Sequence, residues 1–307
     1  MRPIFATRQF SLNRSSLDRS LQIHRAENAR LQAELATGRK VNRASDDPTS
    51  YSLARRMEVL GDRYEQYQRS ISSARGWVDH SQAALDTLTE VFTLAYEDSV
   101  QGANDTLNQG ERDTLAASLE ARLQTALDTM NTRNGDEYLF AGTNSTVKPF
   151  VLDNGAGSDG AGVTYFGNAN GRKSAIGPDV TLDINMKGTQ LLDTGNGYTI
   201  TESIQNMIDA LRSGDSAQID TALDQVSKAR DHVIDLGSET GALANRLDQM
   251  TSYLGTAAIS VEGRRSAAED ADMAETIVDL QKNQTNLEAT LQSMASVREL
   301  SILNYLR

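Results

Sequence analysis

Positions spaced alternately four and three residues apart mark both ends of the chain, and most of them are apolar. Near the N-terminus the series contains Phe10, Arg14, Leu17, Leu21, His24, Asn28, Leu31 and Leu35. Near the C-terminus it contains Met273, Ile277, Leu280, Gln284, Leu287, Leu291, Met294 and Arg298. A narrow seam with this spacing is typical of coiled-coil helices. We therefore predict that the two ends pair with each other or with helices of partner molecules, and packing on an ordinary core is the alternative.

The middle of the chain has a different composition. Residues 136–200 are rich in Gly, Asn, Asp and Thr, and short runs such as VTYFGN and VTLDINMKG predict β-hairpins there. Helices are predicted on both sides, at about 49–100, 112–133, 201–236 and 240–306. The sequence thus predicts a mainly α protein with a small β domain, in which both termini form a long-helix coiled-coil bundle. The predicted domain limits are 1–45, 46–138, 139–200, 201–262 and 263–307.

A turn is predicted between the first two helices. Gly38 follows the last apolar position of the first helix and can adopt the left-handed conformation that ends helices. Asp46 or Asp47 can cap the free amides of the next helix, and Pro48 suits its first turn. Helix capping is favoured here over a cation site at the two carboxylates.

Composition and charge narrow the classes of function. The formal net charge of -12 disfavours binding to nucleic acid, and no stretch is apolar enough to insert into a membrane. The chain has no cysteine, which excludes disulfides and thiolate metal sites. The first residues lack a signal-peptide core, so an exported protein with this start would need another secretion route. Lys and Arg dominate residues 1–40 and acids dominate near the C-terminus, which favours pairing of the two ends.

Catalytic signals are sparse. His24, His80 and His232 lie far apart on predicted helices, and no G-x-S-x-G, H-E-x-x-H or P-loop motif is present. An enzyme carried on a helical scaffold is therefore disfavoured, and no cofactor is predicted. His24 is instead predicted to set helix register together with Asn28, as polar residues in coiled-coil seams do.

Two further segments have a structural and a functional interpretation. The acidic run AAEDADMAE at residues 267–275 is predicted to lie on a continuous helix, where a salt-bridge patch is favoured over a metal site. The run DNGAGSDGAG at residues 153–162 is predicted to be a flexible hairpin loop rather than a phosphate-binding loop.

Several ordered motifs resemble the flagellin family. The segment LQAELATGRKVNRASDDPTSYSLARRM at residues 31–57 resembles the N-terminal signature of that family. GALANRLDQM, EDADMAE and the terminal LSILNYLR resemble its C-terminal elements in the same order. The similarity covers about 1–145 and 201–307. Within the family, Pro48 and the run DEYLFAGTNSTVKPF resemble the hook-associated protein 3 branch more than filament flagellin, which remains the alternative.

This resemblance implies a structural subunit that is secreted through the flagellar type III export channel and polymerises at the hook–filament junction. The terminal helices would form an inner layer and the β-rich domain would lie outside. The implied partners are copies of the chain, another hook-associated protein, flagellin and an export chaperone. We name as the assembly seam Leu17, Leu21, His24, Asn28, Leu31, Leu35, Ile277, Leu280, Leu287, Leu291 and Met294.

Overall fold

The computed structural model describes residues 3–152 and 162–305, and the side chains of residues 15–152 and 162–296. The heptad positions Phe10, Arg14 and Arg298 lie outside the described side chains, and residues 153–161 of the loop predicted at 153–162 lie outside the described residues. The helices are α1 (Pro3–Thr37), α2 (Pro48–Gly102), α3 (Gln109–Met130), α4 (Gly188–Leu192), α5 (Ile200–Ser213), α6 (Ser216–Glu269) and α7 (Met273–Tyr305). The strands are β1 (Arg133–Asn134), β2 (Glu137–Tyr138), β3 (Phe150–Leu152), β4 (Val163–Tyr165), β5 (Lys173–Gly177) and β6 (Val180–Asp183).

The chain separates into two compact units. The terminal unit comprises Met1–Arg63 and Ala257–Arg307, and the central unit comprises Tyr64–Thr256. The structure bears out the predicted fold class: long helices at both ends and small antiparallel sheets between them. The five predicted domain limits stay a prediction.

The central unit contains one large hydrophobic core. Its two longest helices place side chains into that core at alternating intervals of three and four residues. On α2 these are Ile71, Ala74, Val78, Ser81, Leu85, Leu88, Phe92, Ala95 and Ser99, and on α6 Ile219, Ala222, Val226, Ala229, Val233 and Leu236. Trp77, Ala84 and Val91 are buried beside this series on α2, so the inward face of α2 is wider than a coiled-coil seam and is typical of a helix that packs on a globular core.

Among the described residues, the β structure consists of three antiparallel pairs, β1–β2, β3–β4 and β5–β6, and β1 lies just before the segment predicted from the sequence. Leu139, Phe140 and Phe150 from this region are fully buried and belong to the same core as the helices. Gly142 follows with φ +73, and a Cβ there would lie 2.2 Å from the Asn168 carbonyl oxygen. The DEYLFAG run therefore anchors the hairpins to the helices of the central unit.

The helix boundaries after residue 200 differ from those predicted. The predicted helix at 201–236 ends at Ser213, because Gly214 adopts φ +70 and its N–H bonds to the Ala210 carbonyl. The break predicted near residue 237 is absent, and α6 continues through Gly237 and Gly241. A mid-helix glycine costs about 1 kcal/mol, which the burial of neighbours such as Val233 and Leu247 outweighs.

Candidate assembly surface

The two terminal helices α1 and α7 pack against each other in an antiparallel arrangement. At one end of the pair, the Ala271 N–H donates to the Gly38 carbonyl oxygen at 2.9 Å. Further along, the His24 ring Nδ1 lies 2.9 Å from Asn283 Oδ1. Residues earlier in α1 therefore lie beside residues later in α7, so the two helices are antiparallel and these contacts define their register.

The structure places the assembly-seam residues on more than one face. Leu31 is buried, and Leu17, Leu21, His24, Asn28, Leu35, Leu280, Leu287 and Met294 are half-buried. Ile277 and Leu291 are 46% and 44% exposed, so they do not face α1. The assembly seam thus contains residues that pack between α1 and α7 and two residues, Ile277 and Leu291, that are exposed to solvent on α7.

Sequence reasoning missed four residues of the helix pair: Glu34, Thr276 and Asn283, which are buried, and Thr290, which is half-buried. The inward series on α7 is Thr276, Leu280, Asn283, Leu287, Thr290 and Met294. It also alternates intervals of four and three, but starts one residue before Ile277. Because several of its members are polar, a search for apolar residues selected the neighbouring series.

Apolar side chains remain open on the outside of the terminal unit. Ile259 is 76% exposed, Val278 is 62% exposed and Ile23 is 60% exposed. Val59, Ile277, Leu291 and Met273 are also exposed. Single exposed apolar side chains are common on folded proteins, so these residues define a candidate surface, of which Ile277, Val278 and Leu291 share the helix α7.

The turn between α1 and α2 holds the four predicted turn residues. Gly38 adopts φ +71, and its N–H donates to the Glu34 carbonyl oxygen at 2.7 Å, which closes α1. Asp46 accepts the Arg43 and Asn42 N–H groups at 2.9 and 3.0 Å, and these bonds lower its pKa. Asp47 accepts the Thr49 N–H at 2.9 Å, and α2 begins at Pro48.

A second turn separates α6 from α7, so the predicted continuous helix across residues 267–275 is wrong. Asp272 accepts the Ala274 and Glu275 N–H groups at 2.9 and 3.2 Å and so caps α7. The Lys40 N–H donates to the Glu269 carbonyl oxygen at 2.8 Å, and Arg39 pairs with Asp270 as a β-bridge. Backbone bonds thus join the two turns.

Ion pairs at this surface lie mostly within one helix. Arg265 bonds to Glu262 and Glu269 on α6, which raises the Arg265 pKa and lowers that of Glu262. Arg39 lies 3.5 Å from Glu269. No ion pair joins α1 to α7 among the side chains described at residues 15–152 and 162–296. The opposite charges of the two ends therefore do not meet as specific α1–α7 pairs there.

The other histidines form no catalytic arrangement in the described part of the chain. His80 is exposed on α2, and His232 Nε2 lies 2.8 Å from the Gln190 carbonyl oxygen. Within the described ranges, no group of His, Cys, Asp and Glu could hold a metal ion. No helix in those ranges has the length and apolarity to cross a membrane.

Models of the two helical regions of bacterial flagellin match most of the chain. The bacterial flagellin N-terminal helical region matches residues 11–145, and the C-terminal helical region matches residues 217–306. The chain belongs to the flagellin family. Members of this family are structural proteins of the bacterial flagellum and not enzymes.

The individual relatives include both hook-associated proteins and filament proteins. Flagellar hook-associated protein 3 of Escherichia coli is 23% identical over 92% of this chain and 94% of its own length. The flagellar filament 30.7 kDa core protein of Treponema maltophilum is 22% identical over 96% of this chain and 93% of its own. Among solved structures, a flagellar hook-associated protein of Vibrio parahaemolyticus gives a TM-score of 0.64 at 21% identity, covering 73% of this chain and 100% of that one. The flagellar junction protein FlgL of Legionella pneumophila gives 0.61 at 14% identity, covering 71% and 100%.

Proposed function

We propose that this chain is a structural subunit of the flagellum that acts as the hook–filament junction adaptor and polymerises through its terminal helices. The observation that carries this proposal is the open apolar surface of the terminal unit. Its exposed members include Ile277, Val278 and Leu291 on α7, a helix whose inner face already packs against α1. A neighbouring subunit that covers Leu291 would gain about 1 kcal/mol, because 44% of this residue is exposed and full burial of an exposed leucine is worth about 1.5–3 kcal/mol.

The proposed partners follow from this surface and from the relatives. Copies of the chain would contact one another around the ring, with another hook-associated protein on the hook side and flagellin on the filament side. The chain would leave the cell through the flagellar export channel, escorted by a chaperone. The proposal includes no catalysis, no cofactor, no nucleic acid and no membrane insertion.

Filament flagellin is the second candidate function, and the Treponema filament core protein is the observation that favours it. The location of the protein distinguishes the two. Immunogold labelling of intact flagella gives one spot per flagellum for a junction adaptor and labels the whole length for a flagellin. Immunogold labelling along the whole filament would overturn the junction assignment. Deletion of the gene for a junction adaptor is expected to leave hooks intact and to release flagellin into the medium.

Leu291→Asp tests the proposed surface. The side chain is exposed on the folded chain, so the change should leave folding intact while it puts a charge into the subunit interface. We expect loss of filament attachment, measured by electron microscopy and by swimming. Leu21→Asp should also abolish assembly, but it alters the half-buried α1–α7 contact as well.

The matched control is Gln292→Asp, which adds the same charge at the next exposed position of α7. It should assemble as the parent chain does. Normal filaments from the Leu291→Asp chain would contradict a role for this surface in assembly.

A further inference from the structure

The loop at residues 166–172 connects β4 to β5 and contains the pair Asn170–Gly171. Asn170 is exposed, and its backbone N–H donates to Asn168 Oδ1 at 3.1 Å. Among the described residues, neither the Asn170 side-chain amide nor the Gly171 N–H takes part in a hydrogen bond. Because glycine has no Cβ, nothing on Gly171 itself shields its nitrogen from the side chain that precedes it.

A carboxylate lies against Gly171. A Cβ built on this glycine would lie 2.7 Å from Oδ1 and 2.9 Å from Oδ2 of Asp183, so the carboxylate occupies the space beside the Gly171 backbone. Asp183 is the last residue of β6 and pairs with Lys173 at the start of β5. The structure thus brings together a side-chain amide, the backbone nitrogen that can attack it and a group that can accept a proton.

Two other Asn–Gly pairs in the described part of the chain lack this arrangement. The Asn196 side-chain amide donates to the Thr194 carbonyl oxygen at 2.9 Å, which restrains it. Asn134 lies in the antiparallel pair β1–β2, which holds its backbone extended. A Cβ built on Gly135 or Gly197 would meet no described atom within 4 Å beyond its chain neighbours, so no described carboxylate flanks these glycines. The two pairs therefore serve as reference sites within the same chain.

We propose that Asn170 is a site of spontaneous deamidation in the folded chain and that Asp183 acts as the general base of the reaction. The Gly171 nitrogen attacks Cγ of Asn170 and gives its proton to the Asp183 carboxylate. The Cγ–Nδ2 bond then breaks, and Nδ2 leaves as ammonia with the proton that Asp183 returns. Water opens the resulting cyclic imide at either carbonyl, which leaves aspartate or isoaspartate at residue 170. The net reaction consumes one water and releases one ammonia.

The products of this reaction act on the contacts of Arg172. The Arg172 backbone N–H donates to Asn185 Oδ1, and its side chain bonds to Glu137 and lies 4.6 Å from the Trp77 ring centroid. Either product adds a negative charge near Asp183. Isoaspartate also lengthens the main chain by one carbon two residues before Arg172. We expect these changes to loosen the contact between Arg172 and Trp77.

The rates at the three Asn–Gly pairs test the proposal in the purified full-length chain. The chain is incubated at constant pH and temperature, and peptide mapping by mass spectrometry follows the conversion of amide to acid at each site. We expect Asn170 to convert at least about threefold faster than Asn134 and Asn196. A smaller difference would overturn the proposal. So would an equal difference in urea, where the chain is unfolded and only the local sequence acts.

Asp183→Asn tests the assigned base. The variant keeps the size of the side chain but cannot accept the proton, so Asn170 should convert at least about threefold more slowly while Asn196 keeps its rate. Asp179→Asn removes the same charge from the exposed turn of the same hairpin and should leave both rates unchanged. Loss of a merely structural contact would have the opposite sign, because a loosened loop reaches the attacking geometry more often. A smaller decrease, or an increase, would therefore contradict the role of Asp183.

Trp77 is the only tryptophan of the sequence, so fluorescence reports on its contact with Arg172. In the parent chain the emission should change at the same rate as Asn170 converts. In Asn170→Gln it should stay constant over the same period, because glutamine closes the larger imide ring much more slowly. Conversion of Asn170 without a change in emission, or the same change in the glutamine variant, would overturn the expected effect on Arg172.

Discussion

The central unit and the terminal helix pair use the same alternating spacing but fill it with different side chains. In the central unit the inward positions of α2 include Val78, Leu85, Leu88 and Phe92, and all are buried. On α7 the inward positions include Thr276, Asn283 and Thr290, and most positions of the series are only half-buried. Alternating spacing therefore indicates that a helix packs, whereas the side chains at its inward positions decide how fully that face is buried within the chain.

The difference extends to the core as a whole. The buried apolar side chains described in the terminal unit are Leu31, Val41, Ala54, Val261 and Ala268, and none belongs to the main hydrophobic core. A fully buried leucine or phenylalanine contributes about 1.5–3 kcal/mol, and the half-exposed seam residues contribute less. We infer that the terminal pair is the less stable part of the free chain, as suits a surface that a neighbour completes.

The largest expected effect comes from a leucine-to-alanine substitution in the central unit, and the same substitution on α7 provides the comparison. Leu88→Ala removes a fully buried side chain from the central core. We expect the free energy of unfolding to fall by about 2–5 kcal/mol, because the transfer energy is lost and a cavity remains. Urea unfolding followed by circular dichroism measures it, and a fall below 1 kcal/mol would show that the central core is not tightly packed.

The same change on α7 should be much milder. Leu287 is half-buried in the terminal pair, so Leu287→Ala should cost about 1 kcal/mol or less in the purified chain. Hydrogen exchange of α7 amides should report the loss, while amides of the central unit keep their protection. If Leu287→Ala lowered the free energy of unfolding as much as Leu88→Ala does, the inferred difference in packing between the two units would be contradicted.

The smallest effect concerns a pair that joins the hairpins to α2 within the central unit. Arg172 bonds to Glu137 at 2.7 Å and its guanidinium lies 4.6 Å from the Trp77 ring centroid. Hydrogen bonds from Arg172 and Ser145 lower the pKa of Glu137 below its ordinary value of 4.5. Because the folded-state pKa is lowered, this stabilisation is present above about pH 4.5 and is lost as the pH falls through the folded pKa.

Both partners of that pair are partly exposed, so Glu137→Gln should cost about 0–1 kcal/mol at pH 7. The difference from the parent chain should decrease as the pH falls through the folded-state pKa of Glu137, because the parent carboxylate then becomes protonated as well. Unfolding measured at pH 7 and at pH 3 checks this, and Glu120→Gln, which affects another exposed ion pair of the central unit, is the control. A constant difference at both pH values would contradict the ionic origin.

The fold could be predicted from the sequence where local signals decide it. Pro48 after two aspartates marks the start of α2, and Gly38 marks the end of α1. Gly214 and Gly237 show the limit of such signals, because only the first ends a helix. The difference lies in the buried neighbours of α6, which are known only from the tertiary structure.

The candidate surface was harder to derive than the fold. Two series with the same spacing start one residue apart on α7, at Thr276 and Ile277. Hydrophobicity selects the series with Ile277 and Leu291, but α1 packs against the one with Asn283. The partner of His24 is thus a residue 259 positions away, which no local pattern identifies.

The bridge between Arg39 and Asp270 constrains how this chain can change in length. Since the two turns are bonded to each other, they act as a common origin from which residues along both terminal helices are counted. One residue inserted into α1 before Gly38, or into α7 after Met273, would rotate the part of that helix farther from the joined turns by about 100° and turn its inner face away from its neighbour. Insertions or deletions in α1 or α7 should therefore be tolerated only when a second change restores the length of the same helix, or when whole heptads are added to both helices together.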